Sequence, residues 1–165
     1  MFVLDNGRLS VFDIPFGEFG GDAIGINDRG VLVGSYYDDP TAACARGFQR
    51  DRTGRFTRID FPATGATSLF DVNDRGEMVG NFLAPPCADT RLLQGFLRDE
   101  RGRFSRIRIP GAGQSQALGI NNRGQVVGSY LDAGGTQRGY LRDDSHLTTL
   151  DGPAGAVANT RLRHQ

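Results

Sequence analysis

The sequence predicts an all-β protein: a β-propeller-type tandem repeat of four-stranded antiparallel blades, about three and a half of them, in one repeat domain over residues 1–165. Three observations predict it. A segment centred on Asn27-Asp28-Arg29-Gly30 returns at Asn73-Asp74-Arg75-Gly76 and at Asn121-Asn122-Arg123-Gly124, with 46 and then 48 positions between copies. A second, Phe-rich module alternates with the first and closes on proline. The 24 Gly and 7 Pro are spread through the chain as turn residues, which leaves no room for long helices.

The elements follow in order. The chain opens inside a second module, where Phe2-Val3-Leu4-Asp5 precedes the turn Asn6-Gly7 and a strand running to Ile14-Pro15; residues 1–15 are half a blade. In the first-module copies the Asn-Asp-Arg-Gly tetrapeptide separates two apolar runs, and Gly30, Gly76 and Gly124 stand where a tight hairpin needs a residue in the left-handed region. Val31-Leu32-Val33, Met78-Val79 and Val126-Val127 are runs, as expected of strands covered on both faces. Gly34, Gly80 and Gly128 read as points of close backbone approach. The second modules begin at Gly47-Phe48, Gly95-Phe96 and Gly139-Tyr140 and turn at Asp51 to Gly54 and Asp99 to Gly102. Proline donates no ladder hydrogen bond, so Pro15, Pro62 and Pro110 end their strands at an edge or corner. Full repeats thus span 16–62, 63–110 and 111–153, and 154–165 is a tail or the start of a further strand.

The pattern Gly-Ile-Asn-Asp-x-Gly-x-Val-Gly-x-Tyr, followed by a small tripeptide and a Phe-rich hairpin that ends as Pro110-Gly111-Ala112, resembles the bacterial extracellular-repeat family named for its His-Ala-Phe tripeptide. The likeness runs from Phe2 to about Pro153. Here the tripeptide is Arg46-Gly47-Phe48, Gln94-Gly95-Phe96 and Arg138-Gly139-Tyr140, so no residue carries any role of the family's histidine. The resemblance implies a propeller-like array, often exported to the cell surface or beyond, and implies no assigned chemistry.

Charge narrows the function classes. Nineteen basic residues balance nineteen acidic ones, so no long-range field gathers nucleic acid or an anionic membrane. No apolar stretch approaches the roughly 20 residues of a membrane-spanning helix, and Met1 to Asp5 lacks the basic and apolar regions of a signal peptide.

Catalysis finds little support. His146 and His164 are the two histidines, one beside a hairpin turn and one at the C-terminal end, with neither a metal-ligand set nor a nucleophile spaced around them. The pairs Asn27-Asp28, Asn73-Asp74 and Asn121-Asn122 have the oxygen chemistry of calcium ligands, but loops this short cannot wrap six or seven oxygens, and Asn122 removes a charge. Bonding to their own backbone explains all three. No cofactor or metal is expected.

The inter-hairpin loops differ in length and chemistry, unlike the scaffold, and loops on rigid scaffolds carry binding. Asp38, Asp39, Arg46, Asp132 and Arg138 are candidates for a polar rim suited to a glycan or peptide, ordinary solvated charge being the alternative. Cys44 and Cys87 lie in equivalent loops of successive repeats: they are either two free thiols or a disulfide between adjacent blades.

Paired modules count to fourteen strands, which is not a whole number of blades. An open arc bares apolar faces at both ends, so the expected partners are a second copy that closes a ring or the missing blades of a longer chain. The function this supports is a noncatalytic binding or interaction module of unknown ligand. A structural segment of a larger propeller is the second reading, and a carbohydrate-active or lectin-like domain a distant third.

Overall fold

Two short hairpin turns per repeat, each with glycine in the left-handed region, fold the chain into successive antiparallel sheets. The structure is a computed structural model and describes residues 1–150 apart from 6, 41–43, 63, 64, 86 and 88. Asn6, Pro86, Pro153, His164 and the 154–165 tail therefore lie outside the described residues.

Strands β1 (Phe2–Asp5) and β2 (Arg8–Val11) form a two-stranded ribbon. The first full blade is β3 (Gly21–Ile26), β4 (Leu32–Tyr36), β5 (Arg46–Arg50) and β6 (Phe56–Arg58). The second is β7 (Ala66–Val72), β8 (Met78–Leu83), β9 (Gln94–Arg98) and β10 (Phe104–Arg106), with a one-turn 3-10 helix at Thr90–Leu92 before β9. The third is β11 (Gln114–Ile120), β12 (Val126–Leu131), β13 (Gln137–Asp143) and β14 (His146–Leu150). Strand order in every sheet is chain order and every pairing is antiparallel. Half a blade followed by three full ones is the arrangement the modules predict. Pro62 and Pro110 follow the edge strands β6 and β10, as their missing N–H requires.

One feature of every first strand has no local signature. The register shifts between Ala23 and Gly25, between Leu69 and Asp71, and between Ala117 and Gly119, the same bulge in all three blades. The extra residue turns Ile26, Val72 and Ile120 onto the face that meets the preceding blade.

The core lies between blades. Val33 and Ile59 of the first blade pack with Leu69, Val72, Met78, Phe82 and Phe96 of the second. Val79 and Ile107 of the second repeat the contact with Ala117, Ile120, Val126, Tyr130 and Tyr140 of the third. The glycines expected to allow close approach do so. A Cβ at Gly34, Gly80 or Gly128 would run into the carbonyl oxygen of Asp22, Ser68 or Gln116, and would also press the ring of Phe48, Phe96 or Tyr140 at 2.9, 3.0 or 2.7 Å. The aromatic residue of each tripeptide thus packs its ring against the glycine of the neighbouring strand.

The arc does not expose its two ends alike. Ile26 is 48% exposed, while its counterparts Val72 and Ile120 are each 1% exposed, because the ribbon before the first blade has no hairpin to lay over it. Phe2 pairs with Val11 and Leu4 with Leu9 across the ribbon, so these four exposed side chains share one face. At the other end, Leu150 is exposed where its counterparts Ile59 and Ile107 are buried. Equal bare faces were expected; among the described residues most of the exposed large apolar side chains sit at the first end.

In the isolated chain, Ile120→Ala should cost about 2–5 kcal/mol in urea unfolding and Ile26→Ala about 1 kcal/mol or less, although the two positions are equivalent by repeat. Gly80→Ala should cost about 1–3 kcal/mol in the same assay, because a backbone carbonyl stands where the methyl must go.

Candidate functional site

The asparagine that opens each first-module turn has two working ends. Its Oδ1 closes the turn: in Asn27 it accepts the N–H of Arg29 at 3.1 Å and of Val31 at 2.9 Å. Asn73 does the same with Arg75 and Glu77, both at 3.0 Å, and Asn121 with Arg123 at 3.0 Å and Gln125 at 3.1 Å. These oxygens are engaged by their own backbone. Among the described residues no group of three or more His, Cys, Asp or Glu gathers as a metal site.

The other end reaches the next blade. Asn27 Nδ2 donates to the carbonyl of Asn73 at 2.8 Å, and Asn73 Nδ2 to the carbonyl of Asn121 at 3.1 Å. A second rung runs beside it: Asp28 N–H donates to Asp74 Oδ1 at 3.0 Å and Asp74 N–H to Asn122 Oδ1 at 2.8 Å. Asn122 Nδ2 returns a bond to Asp74 Oδ2 at 2.7 Å, so the substitution that breaks the Asn-Asp pattern puts a donor where a second carboxylate would face Asp74. The turns line a groove of about 710 Å³ along the inner edge of the arc.

The polar-rim candidates form ion pairs within their own blades. Arg138 Nε meets Asp132 Oδ2 at 2.7 Å, while Asp132 Oδ1 accepts the N–H of Gly134 and of Thr136, both at 2.9 Å. Arg46 Nε lies 3.5 Å from Asp38 Oδ2, with Asp39 exposed beside it. Arg46 also donates from Nη1 to the carbonyl of Gly65 at 3.3 Å, and Gln94 donates to the equivalent carbonyl of Gly113 at 3.2 Å. The first position of the tripeptide is therefore a tie to the next blade. Cys44 and Cys87 form a disulfide between the first and second blades, with Cα atoms 5.6 Å apart. Gly65 leaves the space that Cys87 Sγ occupies.

The second-module turns use the same device with aspartate. Asp51 Oδ1 accepts from Thr53 and Arg55, and Asp99 Oδ1 from Arg101 and Arg103. The Thr53 hydroxyl holds the Asp51 carboxyl below the ordinary carboxylate range, the Arg103 N–H does so for Asp99, and the Arg138 guanidinium for Asp132. Burial raises the Tyr140 hydroxyl, and neither it nor the Tyr36 hydroxyl has a hydrogen-bond partner.

Sequence reasoning missed a polar cleft of about 450 Å³ between the second and third blades. Arg101 from one turn, Arg123 from another and Arg142 from β13 line it, together with the carboxylates of Glu100 and Asp144. Arg75 and Glu77 pair at 2.6 Å, and Arg103 and Asp99 at 2.7 Å, within the same cleft. Its members are scattered over some seventy positions, and only the stacking of repeats collects them.

No protein-family model matches the chain, and no curated protein matches it. Among solved structures it is similar to TolB from Acinetobacter baumannii, with a TM-score of 0.63, 14% identity, and coverage of 89% of this chain and 36% of that one. A streptogramin B lyase structure aligns at a TM-score of 0.44 and 13% identity, over 87% of this chain and 58% of that one. TolB is a β-propeller protein. The chain spans about a third of the length of the TolB chain and somewhat over half that of the lyase. Stacked four-stranded antiparallel sheets joined by repeated turns define a β-propeller-type repeat protein. This chain is one, described as half a blade and three full blades.

Two outcomes follow from this geometry. A lowered carboxylate pKa contributes stability that is complete above the unfolded-state value and lost as pH falls through the folded one. Thermal stability should therefore hold down to the ordinary carboxylate range and fall below it. In the same scans Asp99→Asn, which keeps the turn-closing oxygen, should lower Tm less than Asp99→Ala. Separately, reduction of Cys44–Cys87, 43 residues apart, should lower unfolding free energy by up to about 4 kcal/mol, measured with and without dithiothreitol.

Proposed function

We propose that the chain is a noncatalytic binding module of the β-propeller kind, working outside the cell or at its surface, and that it takes an acidic glycan in the cleft between the second and third blades. The observation that carries this reading is the convergence of Arg101, Arg123 and Arg142 from three separate elements on one cleft. Planar guanidinium groups offer paired donors that suit carboxylate or sulfate oxygens. The backbones of Arg101 and Arg123 are held in short, hydrogen-bonded turns and that of Arg142 in β13, so no backbone ordering is added on binding. An acidic peptide has the same terminal chemistry and is the second ligand to try.

The Cys44–Cys87 disulfide supports an oxidising compartment. The likeness to the His-Ala-Phe repeat family, which we take this chain to join, points the same way. A structural role within a larger propeller is favoured by one observation: the ladder of turns uses its polar groups on neighbouring blades.

Titration with acidic and neutral glycans and with acidic peptides, followed by amide chemical shifts, separates these readings. Saturable binding of an acidic glycan is expected, with shifts near Arg101 and Arg123. Arg123→Ala should weaken it about tenfold or more, a loss of about 1.4 kcal/mol, with Tm unchanged. Binding of no probe, or binding indifferent to Arg123, favours the structural role.

A further inference from the structure

The ladder of turns is directional, and one end of it is open. Each turn gives two donors to the turn that follows, the asparagine Nδ2 and the next residue's N–H, and receives them on a backbone carbonyl and a side-chain oxygen. The first turn gives both bonds and, among the described residues, receives neither. Among the described residues Asn27 O accepts only its own turn's Gly30 N–H, and none donates a hydrogen bond to the exposed Asp28 carboxylate.

Two further vacancies meet at the same place. Strand β1 carries Phe2 and Asp5 at the spacing of Phe48 and Asp51, and it pairs antiparallel with β2 as β5 does with β6, so it stands as the third strand of a blade. Yet β5 pairs with β4 and β9 with β8, while among the described residues the matching edge of β1 pairs with no strand. Between that edge and the first blade is a cleft of about 760 Å³, with Val3, Leu4 and Ser10 on one wall and Ile26, Leu32 and Asn27 on the other. In the later blades the residues matching Ile26 and Leu32 are covered by a first-module hairpin, as Val33 of β4 covers Val72 and Met78.

We infer that this cleft docks a β-hairpin of the chain's own first-module kind, supplied by a further repeat. The second strand of that hairpin adds to the open edge of β1, and its apolar face covers the exposed Ile26. Its asparagine Nδ2 donates to Asn27 O, and the following N–H donates to the Asp28 carboxylate. The chain holds two copies of this interface, first blade on second and second on third, so the fit needs no new geometry. The inference is independent of the glycan reading, which concerns a cleft between other blades.

The test uses the full chain and a backbone-cyclised peptide of residues 114–131, the β11–β12 hairpin with its Asn121-Asn122 turn. Saturable binding is expected, with amide shifts at Ile26, Asn27, Asp28 and Val3. Affinity should fall about tenfold or more when the peptide carries Asn121→Asp, which keeps the turn oxygen and removes the Nδ2 donor, or when the chain carries Asp28→Ala. In case the peptide does not hold its hairpin, a second protein carries a duplicate of residues 113–138 directly before Met1. Its Tm should rise by several degrees, and the Ile26 amide should gain protection from exchange. The inference is overturned if neither peptide nor duplicate changes the Ile26 region, or if an unrelated strand of equal hydrophobicity binds as well. It is also overturned if the unmodified chain sediments as a dimer with Ile26 already protected, since a second copy would then be the occupant.

Discussion

One side chain at each inner turn has to satisfy two demands at once, and the rest of the structure depends on it. The Oδ1 of Asn27, Asn73 or Asn121 fixes the local turn, and the Nδ2 of the first two ties that turn to a backbone carbonyl in the next blade. Aspartate can do only the first of these jobs, and the second-module turns, where Asp51 and Asp99 close the loop, are where it is used. The choice of amide or acid thus separates inner turns that must hold a neighbour from turns that need only close themselves.

A rung that points in one direction gives the arc a polarity. The first and second blades each present a valine and an isoleucine forward, and the blade that follows receives them on a bulged strand and an aromatic ring, as in Val33 and Ile59 against Val72 and Phe96. The aromatic ring contacts a glycine that a larger residue replaces only at a cost, because the adjacent carbonyl stands where a Cβ must go. Hydrogen bonds and apolar burial agree on the register between blades, which lets a chain of short strands hold position without helices.

Much of this was legible in the residues. The recurrence of Asn-Asp-Arg-Gly gave the hairpins, the glycines gave the turn conformation and the close approaches, and the module count gave the fourteen strands. What stayed hidden is what acts between repeats. The bulge at Ile24, Phe70 and Leu118 has no local signature, because those residues look like ordinary strand members. Arg46 read as a rim or solvated group and Gln94 only as part of a tripeptide, yet they reach carbonyls at Gly65 and Gly113. Asn122 read as a lost charge and is a gained donor. The pairing of Cys44 with Cys87 stayed open because loop length does not fix a Cα separation. Each of these contacts joins positions many residues apart, and local pattern carries no record of them.

The most direct test of the two-ended asparagine is native-state hydrogen exchange on Asn27→Asp, which keeps Oδ1 and removes the donor to Asn73. The amides of Arg29 and Val31 should remain protected, while protection falls along β3 and β4 and at Asn73, and overall stability drops by about 0.5–1.5 kcal/mol. Unchanged exchange outside the 27–31 turn, with unchanged stability, would contradict the account.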